Sequence, residues 1–172
     1  MLNKNIIGFA AYSGTGKTTL IKQLVNNLSN AGYKVSVIKH AHHDFDTDHP
    51  GKDSYEIRKA GSTNILVSSK KRWALIHEND SNEESSFIEL VNLINNVETD
   101  IILVEGFKAE NFPKIELYRK NIGKGFLYEN DFNIIAIASD EKINISRNID
   151  VLDINNPHQI VDYIIKFLNL PK

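Results

Sequence analysis

Residues Ala11-Tyr-Ser-Gly-Thr-Gly-Lys-Thr18 follow the pattern Ala or Gly, four free positions, then Gly-Lys-Ser/Thr, directly behind the apolar run Ile6-Ile7-Gly8-Phe9-Ala10. The run reads as a strand, and a loop of this composition behind a strand is a phosphate clamp. Its glycines turn successive backbone N–H groups inward around phosphate oxygens, Lys17 reaches the β and γ phosphates, and the Thr18 hydroxyl ligates Mg²⁺. Leu20, Ile21, Leu24, Val25 and Leu28 then recur at helical spacing. Phosphate would therefore meet a helix N-terminus and its dipole. Chance produces such a pattern in a chain of this size on the order of one time in a hundred, and the strand, loop, helix order lowers those odds further.

The elements downstream alternate in the same way. Tyr33 to Lys39 reads as a second strand after a stop at Gly32, followed by a polar loop from His40 to Lys52. Asp53 and Glu56 stand at the spacing of an N-cap and its N3 partner, predicting a short helix that ends at Gly61. Ile65-Leu66-Val67 and Trp73-Ala74-Leu75-Ile76 predict a hairpin. Ser81 and Glu84 repeat the capping-box spacing before a helix with Phe87, Leu90, Val91 and Ile94 on its apolar face. Ile101-Ile-Leu-Val104 ends in Glu105-Gly106 and reads as a central parallel strand, buried on both faces. Pro113 to Arg119 reads as a strand with Ile115 and Leu117 inward, and Ile134 to Ala138 as a core strand ending in Ser139-Asp140. A last helix follows Asn156 as cap, with Pro157 in its first turn and Ile160, Val161, Ile164, Ile165 and Leu168 buried. The pattern predicts one α/β domain spanning residues 1–172. Its expected form is the three-layer P-loop NTPase fold, a mostly parallel central sheet with helices on both faces and a β-hairpin extension.

With 172 residues and a formal net charge of -2, the chain shows no overall attraction to nucleic acid polymers or anionic membranes. Cysteine is absent, which removes disulfides, thiolate metal sites and thiol nucleophiles together. Met1 leads directly into the first strand and no apolar stretch is long enough to span a membrane. The expectation is a soluble cytoplasmic protein.

A Mg-nucleotide site needs an acid at the end of a buried neighbouring strand, and Glu105 fits, with Gly106 behind it. Lys17 and Glu105 are thus the candidate catalytic residues. His40 to His49 holds four histidines and three aspartates. It reads as a nucleotide-responsive switch loop with Asp44, Asp46 or Asp48 reaching Mg²⁺, as an imidazole site for a transition metal, or as an ordinary polar loop. Asp44 is the candidate ligand beside Thr18 and Glu105. Lys39 and Arg58 either add positive charge near phosphate or are surface cations. Asp140 is either a turn residue or a reader of guanine, whose N1 and N2 edge offers two N–H donors to a carboxylate.

The strings Phe9-Ala-Ala-Tyr-Ser-Gly-Thr-Gly-Lys-Thr-Thr19, Ile38-Lys-His-Ala-His-His-Asp44, Pro50-Gly-Lys-Asp-Ser-Tyr55, Arg58-Lys-Ala-Gly61, Arg72-Trp-Ala-Leu75 and Leu103-Val-Glu-Gly-Phe-Lys108 resemble, in order, the molybdopterin-guanine dinucleotide biosynthesis protein B family. The resemblance implies a GTP-binding, mostly dimeric P-loop protein with weak GTPase activity. Such a protein acts as an adapter beside the guanylyltransferase that joins GMP to molybdopterin; direct binding of molybdopterin or its guanine dinucleotide, near the basic residues around Lys108, stays open as a further possibility. It carries nucleotide contacts onto Ser13, Gly14, Thr15, Gly16, Lys17, Thr18 and Thr19, the strand-end acid onto Glu105, and the family's His and Asp pattern onto residues 42–48. It also shifts Asp140 toward guanine recognition. Ala11 departs from the stricter glycine at the first loop position. Tyr12 stands where deviant-loop ATPases carry a signature lysine, which argues against that group. Two other functions remain compatible with the residues: a small-molecule kinase steering its acceptor with Lys108, Lys114, Arg119 or Lys124, and a metal chaperone using the loop histidines.

Overall fold

A computed structural model describes residues 5–41, 45–79 and 84–171. The chain divides into two compact units, Met1–His40 with Phe87–Lys172, and Ala41–Ser86. Among the described residues no helix is long and apolar enough to cross a membrane.

The larger unit is built on a six-stranded sheet. In chain order its elements are β1 (Ile6–Ala11), α1 (Lys17–Asn30), β2 (Val35–Lys39), then after the smaller unit α3 (Phe87–Asn95), β5 (Ile101–Glu105), β6 (Lys114–Tyr118), a 3₁₀ turn Lys120–Ile122, β7 (Ile134–Ser139), β8 (Asp150–Asp153) and α4 (Pro157–Leu168). The strands run β2-β5-β1-β6-β7-β8 and every pairing is parallel. The sheet thus has the predicted parallel α/β character, and β8 is an addition that the sequence pattern does not announce. Asn156 caps α4 as expected, its side chain accepting the Gln159 N–H at 3.2 Å, with Pro157 in the first turn.

Strand alternation sorts the core into two faces. Ile7, Phe9, Ala11, Ile101, Leu103, Ile115, Leu117, Ala136 and Ala138 pack under α1 and α4. Ile6, Ile102 and Val104 pack on the other face against Phe87 and Val91 of α3. Each fully buried Ile or Leu contributes about 1.5–3 kcal/mol of transfer free energy. Further along that second face the cover is irregular chain, with Phe126, Leu127, Tyr128, Ile143, Ile145 and Ile149 closing over Ile134 and Ile137.

Polar groups staple this cover down, and here the expected half-buried strand is corrected. β6 is buried on both faces, and its alternate residues Lys114 and Glu116 are only 2% and 1% exposed. Lys114 Nζ donates to the Glu110 carbonyl at 2.7 Å and to Asp131 at 3.0 Å. Glu116 accepts the N–H groups of Leu127 at 2.7 Å and Tyr128 at 2.9 Å. Arg147 donates to the carbonyls of Tyr128, Asp131 and Ile134. Burial pushes the Glu116 carboxyl up, and its two N–H donors offset only part of that rise. Burial would also raise Asp131, but Lys114 and the Asn133 N–H hold it below its ordinary value. A depressed carboxyl stabilises the fold above its unfolded pKa of about 3.9 and loses that contribution as pH falls through the folded value. Urea midpoints of Asp131→Asn should therefore lie below wild type at neutral pH, with the gap closing below about pH 4.

The smaller unit holds α2 (Asp53–Lys59) and a separate antiparallel hairpin, β3 (Asn64–Ser68) with β4 (Trp73–His77). The expected cap at Asp53 is displaced by one residue. Lys52 is the cap and makes no side-chain cap bond, while Glu56 reaches back to the Gly51 N–H at 3.2 Å. Ser81 lies outside the described residues.

Candidate functional site

The phosphate-loop residues sit between β1 and α1, at the carboxyl edge of the sheet. Gly14 and Gly16 hold φ of 84° and 91°, backbone that only glycine adopts without strain. Gly16 is the N-cap of α1, which has no side-chain cap bond and no acid in its first turn. The first-turn N–H groups therefore lack intrahelical partners and form the positive end of the helix dipole, a setting suited to an anion. Ser13, Gly14, Gly16, Thr18 and Thr19 are exposed. Thr15 differs, because it is 2% exposed and its hydroxyl donates inward to the Tyr12 carbonyl at 2.8 Å. Its side chain holds the loop's shape.

β5 lies beside β1 in the sheet, so its last residue, Glu105, emerges beside the loop. Three side chains singled out in the sequence, Lys17, Thr18 and Glu105, meet there. Lys17 Nζ lies 3.4 Å from Glu105 Oε1, and Thr18 Oγ1 donates to the same oxygen at 3.1 Å. A hydroxyl and a carboxylate side by side are the hard oxygen donors that Mg²⁺ takes, with water and phosphate completing its shell. Clusters of three or more His, Cys, Asp or Glu suited to a metal are absent among the described residues. Asp44 lies outside those residues, as do His42 and His43.

The turn after Glu105 is constrained. Gly106 has φ 104° and Phe107 φ 51°, so two consecutive residues lie in the left-handed region. The His40 N–H donates to the Glu105 carbonyl at 2.8 Å. Rings pack behind this turn, with Phe107 4.9 Å from His40 and 5.1 Å from Phe87 between centroids.

Asp140 directly follows β7 at the same edge of the sheet. Ser139 Oγ donates to the Glu141 carbonyl at 2.8 Å and accepts its N–H, a local turn that presents Asp140. One Asp140 oxygen accepts the Lys120 N–H at 3.1 Å and the other lies 3.6 Å from Arg119 Nη1. A carboxylate has about four lone-pair sites, so capacity for further donors remains.

Several sequence candidates serve elsewhere. Lys114 is buried in its Asp131 pair and cannot steer an acceptor. Arg58 finds its partners within the smaller unit, forking onto Asp46 at 2.6 and 2.7 Å and reaching Glu78 at 2.6 Å. That pairing also commits Asp46, whose carboxyl Arg58 holds below its ordinary value. Arg119, singled out in the sequence only as a cation that could steer a kinase's acceptor, instead meets Asn155 at the site edge, and Asn155 was not legible as a site residue because it belongs to no spaced motif. A concavity of about 450 Å³ lined by Phe132, Arg147, Asp150, Tyr163 and Phe167 lies at the opposite, amino end of β7 and β8.

Comparison with known proteins places this geometry in a family. Residues 6–140 match the family profile of the Molybdopterin guanine dinucleotide synthesis protein B, MobB. The chain is 43% identical over 166 residues to the molybdopterin-guanine dinucleotide biosynthesis adapter protein of Escherichia coli, covering 95% of this chain and 93% of that one. The Haemophilus influenzae protein of the same description is 39% identical over 164 residues, covering 95% and 89%. Among solved structures, Bacillus subtilis MobB superposes with a TM-score of 0.73 at 22% identity over 97% of this chain and 98% of its own. The MobB homologue of Bacillus stearothermophilus gives 0.71 at 19% over 96% and 98%, so the fold is shared where the sequences have diverged. Profile, relatives and fold agree that the chain belongs to the MobB family.

Proposed function

We propose that the chain binds GTP with Mg²⁺ at Ser13 to Thr19, hydrolyses it slowly, and acts as an adapter in molybdopterin-guanine dinucleotide biosynthesis. The observation that carries this reading is the convergence of Lys17 and Thr18 on Glu105 behind a glycine-turned loop, in a chain of this family. Loop N–H groups and Lys17 hold phosphate oxygens, while Thr18 and Glu105, directly or through water, hold the metal. Asp140 reads the guanine edge. The Escherichia coli and Haemophilus influenzae relatives are named as adapter proteins, and the guanylyltransferase is the partner the family resemblance implies.

What surrounds the site supports slow hydrolysis. An arginine aimed at transition-state charge is worth roughly 10³–10⁵ in rate in such enzymes. Arg58, Arg119 and Arg147 are committed to internal partners, and Arg72 lies in the hairpin connection. A slow site can serve as a timer. Its output is the loop that begins at His40, whose N–H hangs on the Glu105 carbonyl, so a change at the phosphate is felt at the loop's first residue. The test is Mg²⁺-dependent binding of fluorescent GTP against unlabelled GTP and ATP, with guanylyltransferase affinity measured in GDP and GTP. Preference for GTP, relaxed in Asp140→Ala, and a partner affinity that differs between the two nucleotides support the reading. Equal binding of GTP and ATP, or identical partner affinity, refutes the corresponding half.

A second copy of the chain is the partner proposed for the hairpin. Leu66, Val67, Trp73 and Leu75 are 63%, 46%, 58% and 49% exposed, and a two-stranded hairpin is marginal in water unless something covers it. Leu66 faces Leu75 across the ladder, so Leu75→Glu places a charge in that patch. Light scattering should show a wild-type dimer and a monomeric variant; a variant that remains dimeric excludes the hairpin as the dimer surface.

A further inference from the structure

Arg119 emerges from the carboxyl end of β6 and touches three separate segments. Its Nε donates to the Thr15 carbonyl at 3.1 Å, its Nη2 to Asn155 Oδ1 at 3.1 Å, and its Nη1 lies 3.6 Å from Asp140 Oδ2. The backbone follows suit, because the Lys120 N–H bonds the other Asp140 oxygen at 3.1 Å. Thr15 belongs to the phosphate loop, Asp140 to the end of β7, and Asn155 to the turn after β8.

We propose that Arg119 is a positioning residue for the nucleotide site, one guanidinium setting both the orientation of the phosphate loop and the carboxylate that reads the base. The inference rests on the GTP reading above. In a planar trans peptide the carbonyl of one residue and the N–H of the next point in opposite directions. Arg119 draws the Thr15 carbonyl toward itself, so the Gly16 N–H is turned away from the guanidinium, and a cation on the carbonyl oxygen polarises that N–H further. The same side chain, with the Lys120 N–H, fixes Asp140 at a set distance from the loop. Arginine is required for this because its planar fork carries five donors. Lysine in its place keeps the charge, but its three donors radiate from one nitrogen and cannot span acceptors that Arg119 meets with three separate nitrogens.

The test compares wild type, Arg119→Ala, Arg119→Lys, Asp140→Asn and the Arg119→Ala/Asp140→Asn pair in binding GTP, ATP and inorganic tripolyphosphate. Amide hydrogen exchange at Gly14 to Lys17 is measured alongside. Arg119→Ala should weaken tripolyphosphate about 10- to 100-fold, the scale of a lost charge-assisted bond, and should also shrink the GTP over ATP preference. Arg119→Lys should recover part of the tripolyphosphate affinity while leaving the preference reduced. The double variant should lose less base preference than the two singles combined, because both act through one carboxylate. Gly16 exchange should quicken in both Arg119 variants.

Three results overturn the proposal. One is a wild type that prefers GTP beside an Arg119→Ala protein with unchanged tripolyphosphate affinity. The second is an Arg119→Ala protein with an unchanged GTP over ATP ratio, which limits the residue to one end of the site. The third is full recovery of both readouts by Arg119→Lys, which reduces Arg119 to a generic cation. A wild type without GTP preference removes the underlying reading and this inference with it, and is recognised before any variant is tested.

Discussion

Replacing Lys17 with alanine is expected to lower GTP affinity by about 100-fold or more while leaving the fold intact. A charge-assisted hydrogen bond to phosphate accounts for roughly 1.5–3 kcal/mol, and each 1.4 kcal/mol is about tenfold in affinity. Loss of the bond is only part of the effect. Glu105 is 11% exposed at its side chain and Lys17 Nζ lies 3.4 Å from it, so removing the cation leaves a sheltered carboxylate facing the incoming phosphate. Repulsion between like charges then adds to the deficit. Without Mg²⁺, where Glu105 has no metal to hold, Lys17→Ala with Glu105→Gln should bind GTP about tenfold better than Lys17→Ala alone, a coupling that a mere bystander carboxylate would not show. Thermal midpoints should shift little, because Lys17 is partly exposed and such pairs add little to stability. Isothermal titration with GTP in the presence and absence of Mg²⁺, beside a melting curve for each variant, checks all three expectations.

What was legible in the sequence was what one segment can announce alone. The phosphate loop announces itself because its chemistry demands glycine, lysine and threonine at fixed spacing, and β5 because a strand buried on both faces has no polar alternates. Glu105 was legible from its place at the end of that run. β8 was not, because a four-residue edge strand with aspartate at both ends carries one buried side chain, Leu152. Lys114 and Glu116 misled in the opposite direction. They alternate with Ile115 and Leu117 like an exposed face, yet both are buried because Asp131, the Glu110 carbonyl and the Leu127 and Tyr128 N–H groups neutralise them. Those partners lie in irregular chain, where no periodicity marks them. The same holds for Arg119, whose acceptors come from three segments that meet only in the fold, and for Arg58, whose salt bridges to Asp46 and Glu78 no spacing rule connects.

Gly106→Ala should combine a stability loss of about 2–5 kcal/mol with weakened GTP binding, and the reason lies in two separate costs. The first is backbone: at φ 104° an L side chain crowds its own carbonyl, for roughly 1–2 kcal/mol. The second is contact, since an added Cβ would stand 2.5 Å from the His40 Cβ, and overpacking of this kind costs about 1–3 kcal/mol. Gly32 separates the two. It has φ 94° with nothing within 4 Å of the added carbon, so Gly32→Ala bears the backbone cost alone, and the difference between the two variants in urea unfolding isolates the His40 contact. Relief of that contact requires the Glu105 to Phe107 turn or the start of the His40 loop to move, and the first of these carries the carboxylate away from Lys17 and Thr18. GTP affinity should therefore fall in Gly106→Ala and stay at the wild-type level in Gly32→Ala. If both variants bind GTP equally well, the close packing of His40 on Gly106 does not set Glu105's position, and the proposed path from phosphate to loop loses its first link.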